Sequence, residues 1–113
     1  MDSLLAKMKE YLKMESEIPF VEFKDYYQQV MDYLQAGYEK MERQELLAAK
    51  FILDIVNSNS KYRAQRKGPE SKKYKKIGEK TGFWSDAINY RLLKAGMTQE
   101  EIDGGAAQIA RED

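Results

Sequence analysis

The sequence predicts an all-α protein: one domain of five to six helices that ends in a helical hairpin. Apolar residues recur at helical spacing along most of its 113 residues. Residues 46–56, LLAAKFILDIV, are apolar around most of a helix's circumference, so we expect them at the centre of the core. Helical patterns flank this stretch on both sides, which argues against a buried strand. A chain of this length is large enough to fold as one domain.

Composition excludes several kinds of site. The chain has no cysteine and no histidine, its formal net charge is zero, and 34% of its residues are charged. It therefore lacks disulfides, thiolate ligands and the imidazole that most often serves as a base or zinc ligand. No phosphate-binding loop or calcium-binding loop is present. We expect no catalytic residues, no cofactor and no metal site, and hence a protein that is not an enzyme.

The N-terminal residues, 1–16, do not have the charged-then-apolar layout of a signal peptide. No apolar run approaches the ~18 residues of a membrane span. We expect a cytoplasmic protein, bacterial or from an element that lives in bacteria, without a membrane partner.

The N-terminal 60 residues, 1–60, are expected to form a three-helix core. The first helix is predicted over 3–14, with Ser3 as its N-cap. Pro19 suits the first position of a second helix over 19–36, and Gly37 suits its left-handed C-terminal cap. The third helix, 39–59, contains the central stretch and is expected to end in the polar residues Asn57, Ser58, Asn59 and Ser60.

The C-terminal half is predicted as a linker, a hairpin and a short helix. Gly68-Pro69 is a turn signal within the linker, 61–72. Helices are expected over 73–81 and 86–95, with Gly82 between them and Gly96 capping the second. Thr98 and Glu101 form a capping box that opens a last helix, ending near 103. Gly104-Gly105 is expected to stop it, and the tail is 104–113.

Charge is segregated along the chain. Residues 1–60 carry 11 acids and 7 bases, a net charge of −4. Residues 61–76 carry eight bases and one acid, a net charge of +7. Residues 77–113 carry 7 acids and 4 bases, a net charge of −3. The basic run is therefore the strongest electrostatic feature of the sequence.

Residues 73–96, KYKKIGEKTGFWSDAINYRLLKAG, resemble the helix-turn-helix motif of DNA-binding proteins. The positions that carry the resemblance are Ile77, Gly78, Gly82, Phe83 and Ile88. In that motif a small residue lets the helices pack, a glycine forms the turn, and apolar residues fill the space between them. The resemblance implies that the second helix enters the major groove, where Asn89 would read adenine.

The basic run precedes this motif and would contact phosphates. Taken together, the run and the motif predict a small DNA-binding regulatory protein, with duplex DNA as its partner. A helix-turn-helix reader is commonly a homodimer, although no dimer interface is specified here. The residues expected to bind nucleic acid are Lys61, Arg63, Arg66, Lys67, Lys72, Lys73, Lys75, Lys76, Ser85, Asn89, Tyr90 and Lys94.

Alternative interpretations remain open. The hairpin is also typical of plain core packing, and a lysine-rich helix is often a solvated face. The chain would then be a non-enzymatic module that binds a protein partner, for example an accessory protein of a mobile element. Tyr62, Tyr74 and Trp84 are either stacking platforms for single-stranded bases or packing anchors. DNA binding requires the side chains of 61–76 and the exposed side of 86–94 on one continuous face.

Overall fold

The computed structural model describes residues 1–112. Within this range every regular element is helical, which confirms the predicted all-α class and the expected number of helices. No described helix has both the length and the apolar character needed to cross a membrane. The elements are α1 (Asp2–Lys13), α2 (Phe20–Gly37), a 3-10 helix (Tyr38–Lys40), α3 (Arg43–Ala64), α4 (Ser71–Lys94) and α5 (Gln99–Arg111).

Helix α3 is the centre of the molecule, and it packs against α1, α4 and α5. Ala49, Ile52 and Leu53 are completely buried, as the apolar stretch predicts. Burial of a large aliphatic side chain contributes about 1.5–3 kcal/mol. The central position expected for residues 46–56 is therefore confirmed.

Tyrosines join the first two helices to each other. The Tyr26 hydroxyl donates a hydrogen bond of 2.7 Å to the Leu4 carbonyl, and the rings of Tyr11 and Tyr26 meet edge to face. Burial raises the pKa of Tyr26, and burial together with Glu22 raises the pKa of Tyr11 to about 12. These aromatic side chains of α1 and α2 are thus packing residues.

Helix α3 is longer than the sequence suggests, and the expected end at residues 57–60 is wrong. The Asn57 amide donates to the Gly78 carbonyl of α4 at 2.6 Å, and the buried Ser60 hydroxyl donates to the Asn57 carbonyl. Contacts to α4 and to the helix itself satisfy these polar groups, so they do not terminate the helix. The connection to α4 is accordingly short, and the first residues of the predicted 61–72 linker are helical.

Helix α4 is continuous, so the turn expected at Gly82 is wrong. No residue between 71 and 94 has a positive φ angle. An added Cβ at Gly78 would lie 3.0 Å from Ser60 Oγ, and one at Gly82 would lie 3.1 Å from Asn57 Nδ2. The two glycines therefore allow α4 to approach α3 closely along one face. Residues 73–96 do not form the two-helix unit that the helix-turn-helix resemblance implies.

The turn before the last helix is confirmed. Gly96 has a φ angle of +103°, and the Met97 amide donates to the Leu92 carbonyl at 3.1 Å. The Thr98 hydroxyl accepts from the Glu101 amide, and the Glu101 carboxylate accepts from the Thr98 amide.

The expected stop at Gly104-Gly105 is wrong, because α5 continues to Arg111. A Cβ at Gly105 would lie only 2.9 Å from Leu47 Cδ1, so this glycine lets α5 approach α3. Most of the predicted tail, 104–113, is thus helical, and Asp113 lies outside the described residues. Helix α2 ends at Gly37, close to the predicted end, but the expected left-handed cap is wrong, because the Gly37 φ angle is −140° and the chain continues as the 3-10 helix.

Candidate nucleic-acid interface

The arginines of the basic run hold the fold together. Arg63 is only 7% exposed, and its Nη1 donates to the Ile18 carbonyl and to the Tyr74 hydroxyl, at 3.0 and 3.1 Å. Its guanidinium lies over the Phe23 ring, 4.5 Å from the centroid, and Nε lies 3.6 Å from the Glu17 carboxylate. Arg63 therefore joins α3, α4 and the segment before α2, and its charge faces the interior.

Arg66 is exposed but paired. Its two terminal nitrogens donate to the two Glu17 carboxylate oxygens at 2.8 and 2.7 Å, the bidentate geometry that suits a guanidinium. The Arg66 hydrogen bonds lower the pKa of the Glu17 carboxyl. The guanidinium also lies 4.7 Å from the Tyr62 ring centroid. Much of its charge is thus matched locally.

The lysines of the run behave differently. Lys73 is exposed and lies over the Phe20 ring at 5.4 Å. The remaining lysines are also exposed, and within residues 1–112 none of them forms an ion pair with a carboxylate. Those unpaired ammonium groups belong to Lys61, Lys67, Lys72, Lys75 and Lys76.

One long face of α4 points to solvent. At 100° per residue, positions 72, 76, 83, 90 and 94 lie along a single line on the side opposite the core. This line combines lysines with two large exposed aromatic side chains, since Phe83 is 70% exposed and Tyr90 is 62% exposed, and the exposed carboxylates of Glu79 and Asp86 lie beside it. The Lys94 ammonium lies 5.6 Å from the Tyr90 ring centroid. We call this line, together with Lys75 and Lys80 beside it, the outer face of α4.

Shallow grooves border Phe83 on the outer face. One groove runs between α3 and α4 and is lined in part by Lys61, Lys75 and Phe83. A second, smaller groove is lined by Glu79, Lys80, Phe83 and Trp84. The Phe83 ring therefore lies among ammonium groups that come from two helices, with the Glu79 carboxylate in both grooves and the Asp86 carboxylate in the first.

Three polar residues of the second half of α4 are already engaged. Ser85 is buried, where it donates to Asp54 and accepts from Lys50. Asn89 and Gln99 exchange two amide hydrogen bonds, at 2.8 and 2.9 Å. Arg91 donates to the Met41 carbonyl at 2.7 Å and to the Tyr38 carbonyl. Of the second-half residues expected to bind nucleic acid, only Tyr90 and Lys94 lie on the outer face.

The outer face also contains residues that sequence reasoning missed. The sequence predicts Phe83 in the space between two helices. In the structure Phe83 is exposed, because α4 does not turn at Gly82. Lys80 follows the basic run by one helical turn and lies beside Phe83. Among the proposed stacking residues, Tyr74 is buried in the core, Trp84 packs edge to face on Tyr38, and only Tyr62 is well exposed. Spacing along one uninterrupted helix is the signal that identifies Phe83 and Lys80.

The largest cleft lies elsewhere, between the end of α1, the segment before α2 and α3, and its volume is about 620 Å³. Two of its polar groups are already engaged, since the Tyr26 hydroxyl and the Arg63 guanidinium donate to backbone carbonyls. Within residues 1–112 no cluster of three or more acidic side chains could hold a metal ion. The outer face of α4 is therefore the strongest candidate site.

Comparisons with known proteins identify no relative. No protein-family model matches the sequence. Searches against curated proteins and against solved structures also return no match.

Proposed function

We propose that this protein binds nucleic acid through the outer face of α4. The observation that carries the proposal is the row of exposed, unpaired lysines on one side of one helix, interspersed with exposed aromatic rings. Ammonium groups without a protein partner are free to neutralise phosphates and release their counterions. The expected contacts come from Lys72, Lys75, Lys76, Lys80 and Lys94.

The charge distribution supports this orientation. Helix α4 has seven basic and two acidic residues, a net charge of +5, whereas residues 1–60 have a net charge of −4. Such a polarised molecule presents its basic side to a polyanion and turns its acidic side away. The proposal does not depend on a helix-turn-helix unit, because the outer face belongs to a single helix.

A second candidate is a protein–protein interaction module. It is favoured by the apolar character of the second half of the outer face, where Phe83, Tyr90 and Leu93 are exposed. Exposed aromatic side chains are common anchors in protein interfaces, and the neighbouring lysines would favour an acidic partner. The two candidates use the same face, and they differ in whether a naked oligonucleotide suffices as the ligand.

The test is fluorescence anisotropy with a labelled random-sequence oligonucleotide, offered in single-stranded and in duplex form at ~50 and ~200 mM salt. The key variant is Lys72/Lys75/Lys76→Gln, which removes three charges from the outer face. The matched control is Lys13/Lys24/Lys40→Gln, which removes three exposed charges from the N-terminal region.

We expect at least one form to bind at low salt, with affinity falling steeply at the higher salt. The outer-face variant should bind about tenfold or more weakly and with a shallower salt dependence, because about three phosphate contacts are lost. The control should bind like the wild type. Absence of binding by both forms at ~50 mM salt would refute the proposal, and so would an equal loss in the two variants.

A further inference from the structure

We infer that the outer face of α4 selects single-stranded over duplex nucleic acid and uses Phe83 and Tyr90 as platforms on which bases stack. This inference rests on the proposed nucleic-acid binding and specifies its substrate class. It differs from the duplex partner that the helix-turn-helix resemblance implies.

Contacts within the fold do not account for the presence of Phe83 and Tyr90. Phe83 and Tyr90 are 70% and 62% exposed, and the ring of Phe83 meets another ring only at 6.3 Å, at the edge of Trp84. They are seven positions apart on the helix, a distance of about 10.5 Å along the axis. Each platform has an ammonium group nearby, because Lys80 lines a groove with Phe83 and Lys94 lies over Tyr90. Unpaired bases present π-faces to such platforms, whereas the bases of a duplex are stacked on one another.

The outer face is poorly suited to reading a duplex. In the major groove, arginine or lysine reads guanine and asparagine or glutamine reads adenine, and the planar guanidinium has a fixed bidentate geometry that the flexible lysine ammonium lacks. On α4, the Asn89 amide is paired with Gln99, and the Arg91 guanidinium is held by backbone carbonyls. Glu79 and Asp86 lie along the same exposed side, where they would face phosphates if the helix entered a groove.

A single strand lessens this conflict, because its flexible backbone is not held to the phosphate positions of a duplex groove, although Glu79 and Asp86 also line the grooves beside Phe83. Its bases would lie against the two rings, while its phosphates would follow the lysines at the margins of the face. Lys61 and Lys75 lie beside the groove on the α3 side of Phe83, and Lys80 lies beside the groove next to Trp84. Phosphate contacts would supply the salt-dependent part of the affinity, and stacking would supply a salt-independent part of about 1–3 kcal/mol per base.

The experiment compares labelled oligothymidylate of about 20 nucleotides with a random-sequence duplex of the same length, at equal salt. The key variant is Phe83→Leu/Tyr90→Leu, which keeps apolar side chains at both positions and removes both rings. The matched control is Tyr90→Phe, which keeps the ring and removes only the hydroxyl. Thermal unfolding of each variant checks that these exposed substitutions leave the fold intact.

We expect the wild type to bind the single strand more tightly than the duplex. The leucine variant should lose about tenfold or more of its single-strand affinity, with little change toward the duplex, and Tyr90→Phe should bind like the wild type. An abasic strand should bind wild type and leucine variant equally, since it offers phosphates without bases.

Two results would overturn this inference while leaving the proposed function intact. One is duplex binding as tight as single-strand binding. The other is an unchanged single-strand affinity of the leucine variant. Failure of both nucleic-acid forms to bind at low salt would instead remove the proposed function, so the two failures can be told apart.

Discussion

The two faces of α4 differ in what determines their residues. The inner face carries Gly78, Thr81 and Ser85, small residues that are buried on the side of α4 that packs on α3. The outer face carries lysines and aromatic rings whose removal would leave the core unchanged. Tertiary packing explains the first set and does not explain the second. The proposed binding surface rests on these rings, which are exposed among unpaired charges.

The basic run repeats this contrast. Arg63 and Arg66 are engaged by carbonyls, rings and the Glu17 carboxylate, whereas the lysines around them have no carboxylate partner in the described chain. A planar guanidinium with several donors suits an interior or bidentate role, and a flexible, strongly hydrated ammonium suits the surface. The basic run therefore contains two sets of residues: arginines that are engaged within the fold and lysines that are exposed without a carboxylate partner.

The largest effect is expected at the inner face. In Gly78→Leu the new side chain would meet Ser60, whose Oγ lies 3.0 Å from the position of the added Cβ. Overpacking there should lower the free energy of unfolding by roughly 3 kcal/mol. The matched variant Glu79→Leu, one residue along on the exposed side, should change it by less than about 0.5 kcal/mol. Urea denaturation measures both, and equal stabilities would contradict the close α3–α4 packing.

Removal of Arg63 should have the next largest effect. In Arg63→Ala the Ile18 carbonyl and the Tyr74 hydroxyl lose their donor, and Phe23 loses a packing partner. The free energy of unfolding should fall by about 2 kcal/mol. The control Lys67→Ala removes an exposed base from the same run and should be nearly neutral. If Lys67→Ala destabilised the protein as much as Arg63→Ala, the division of the basic run would be wrong.

Substitution of glycine by alanine should stabilise the protein at one position and destabilise it at another. Gly104 lies inside α5 with no atom within 4 Å of an added Cβ, so Gly104→Ala should stabilise by up to about 1 kcal/mol. Gly96 has a φ angle of +103°, so Gly96→Ala should destabilise by about 1 kcal/mol. Thermal unfolding measures the pair. Destabilisation by Gly104→Ala would place that residue outside a regular helix.

The smallest effect is expected from the Glu17–Arg66 pair, and it depends on pH. Because Arg66 lowers the pKa of Glu17 in the folded state, the ionised carboxylate stabilises the protein above its unfolded pKa. This contribution disappears as the pH falls below the ordinary range of a glutamate carboxyl and through the depressed pKa.

Glu17→Gln should therefore be slightly less stable than the wild type at pH 7, because so exposed a pair contributes little. The two proteins should converge in acid. Denaturation curves across the pH range make the comparison. A stability difference that persists undiminished at the acid end would mean that the ion pair is not its source.

Local chemistry made part of the fold predictable. The apolar stretch 46–56 and the caps at Gly96 and Thr98 depend on neighbouring residues, and the structure contains all three. The ends expected at residues 57–60, at Gly82 and at Gly104 were wrong for a shared reason. The polar or small residues at these positions either contact another helix or are tolerated inside a helix. Contacts with a distant helix cannot be read from the local sequence.

The candidate site was also predictable only in part. Charge segregation identifies the basic run, but it does not distinguish Arg63, which is buried, from Lys72, which is exposed. The exposure of Phe83 follows only once α4 is known to be continuous. Asn89, the residue expected to read a base, is hydrogen-bonded to Gln99, which lies ten residues further along the chain at the start of α5.

The central claim is that the outer face of α4 contacts nucleic acid. Its most direct test is a ¹H–¹⁵N NMR titration of the protein with oligothymidylate at low salt. The account predicts that the largest amide shift changes fall on α4, at residues 72–83 and around Tyr90 and Lys94, with little change in α1 and α2. Changes centred on the cleft beside α1, or no changes at a several-fold excess of oligonucleotide, would contradict it.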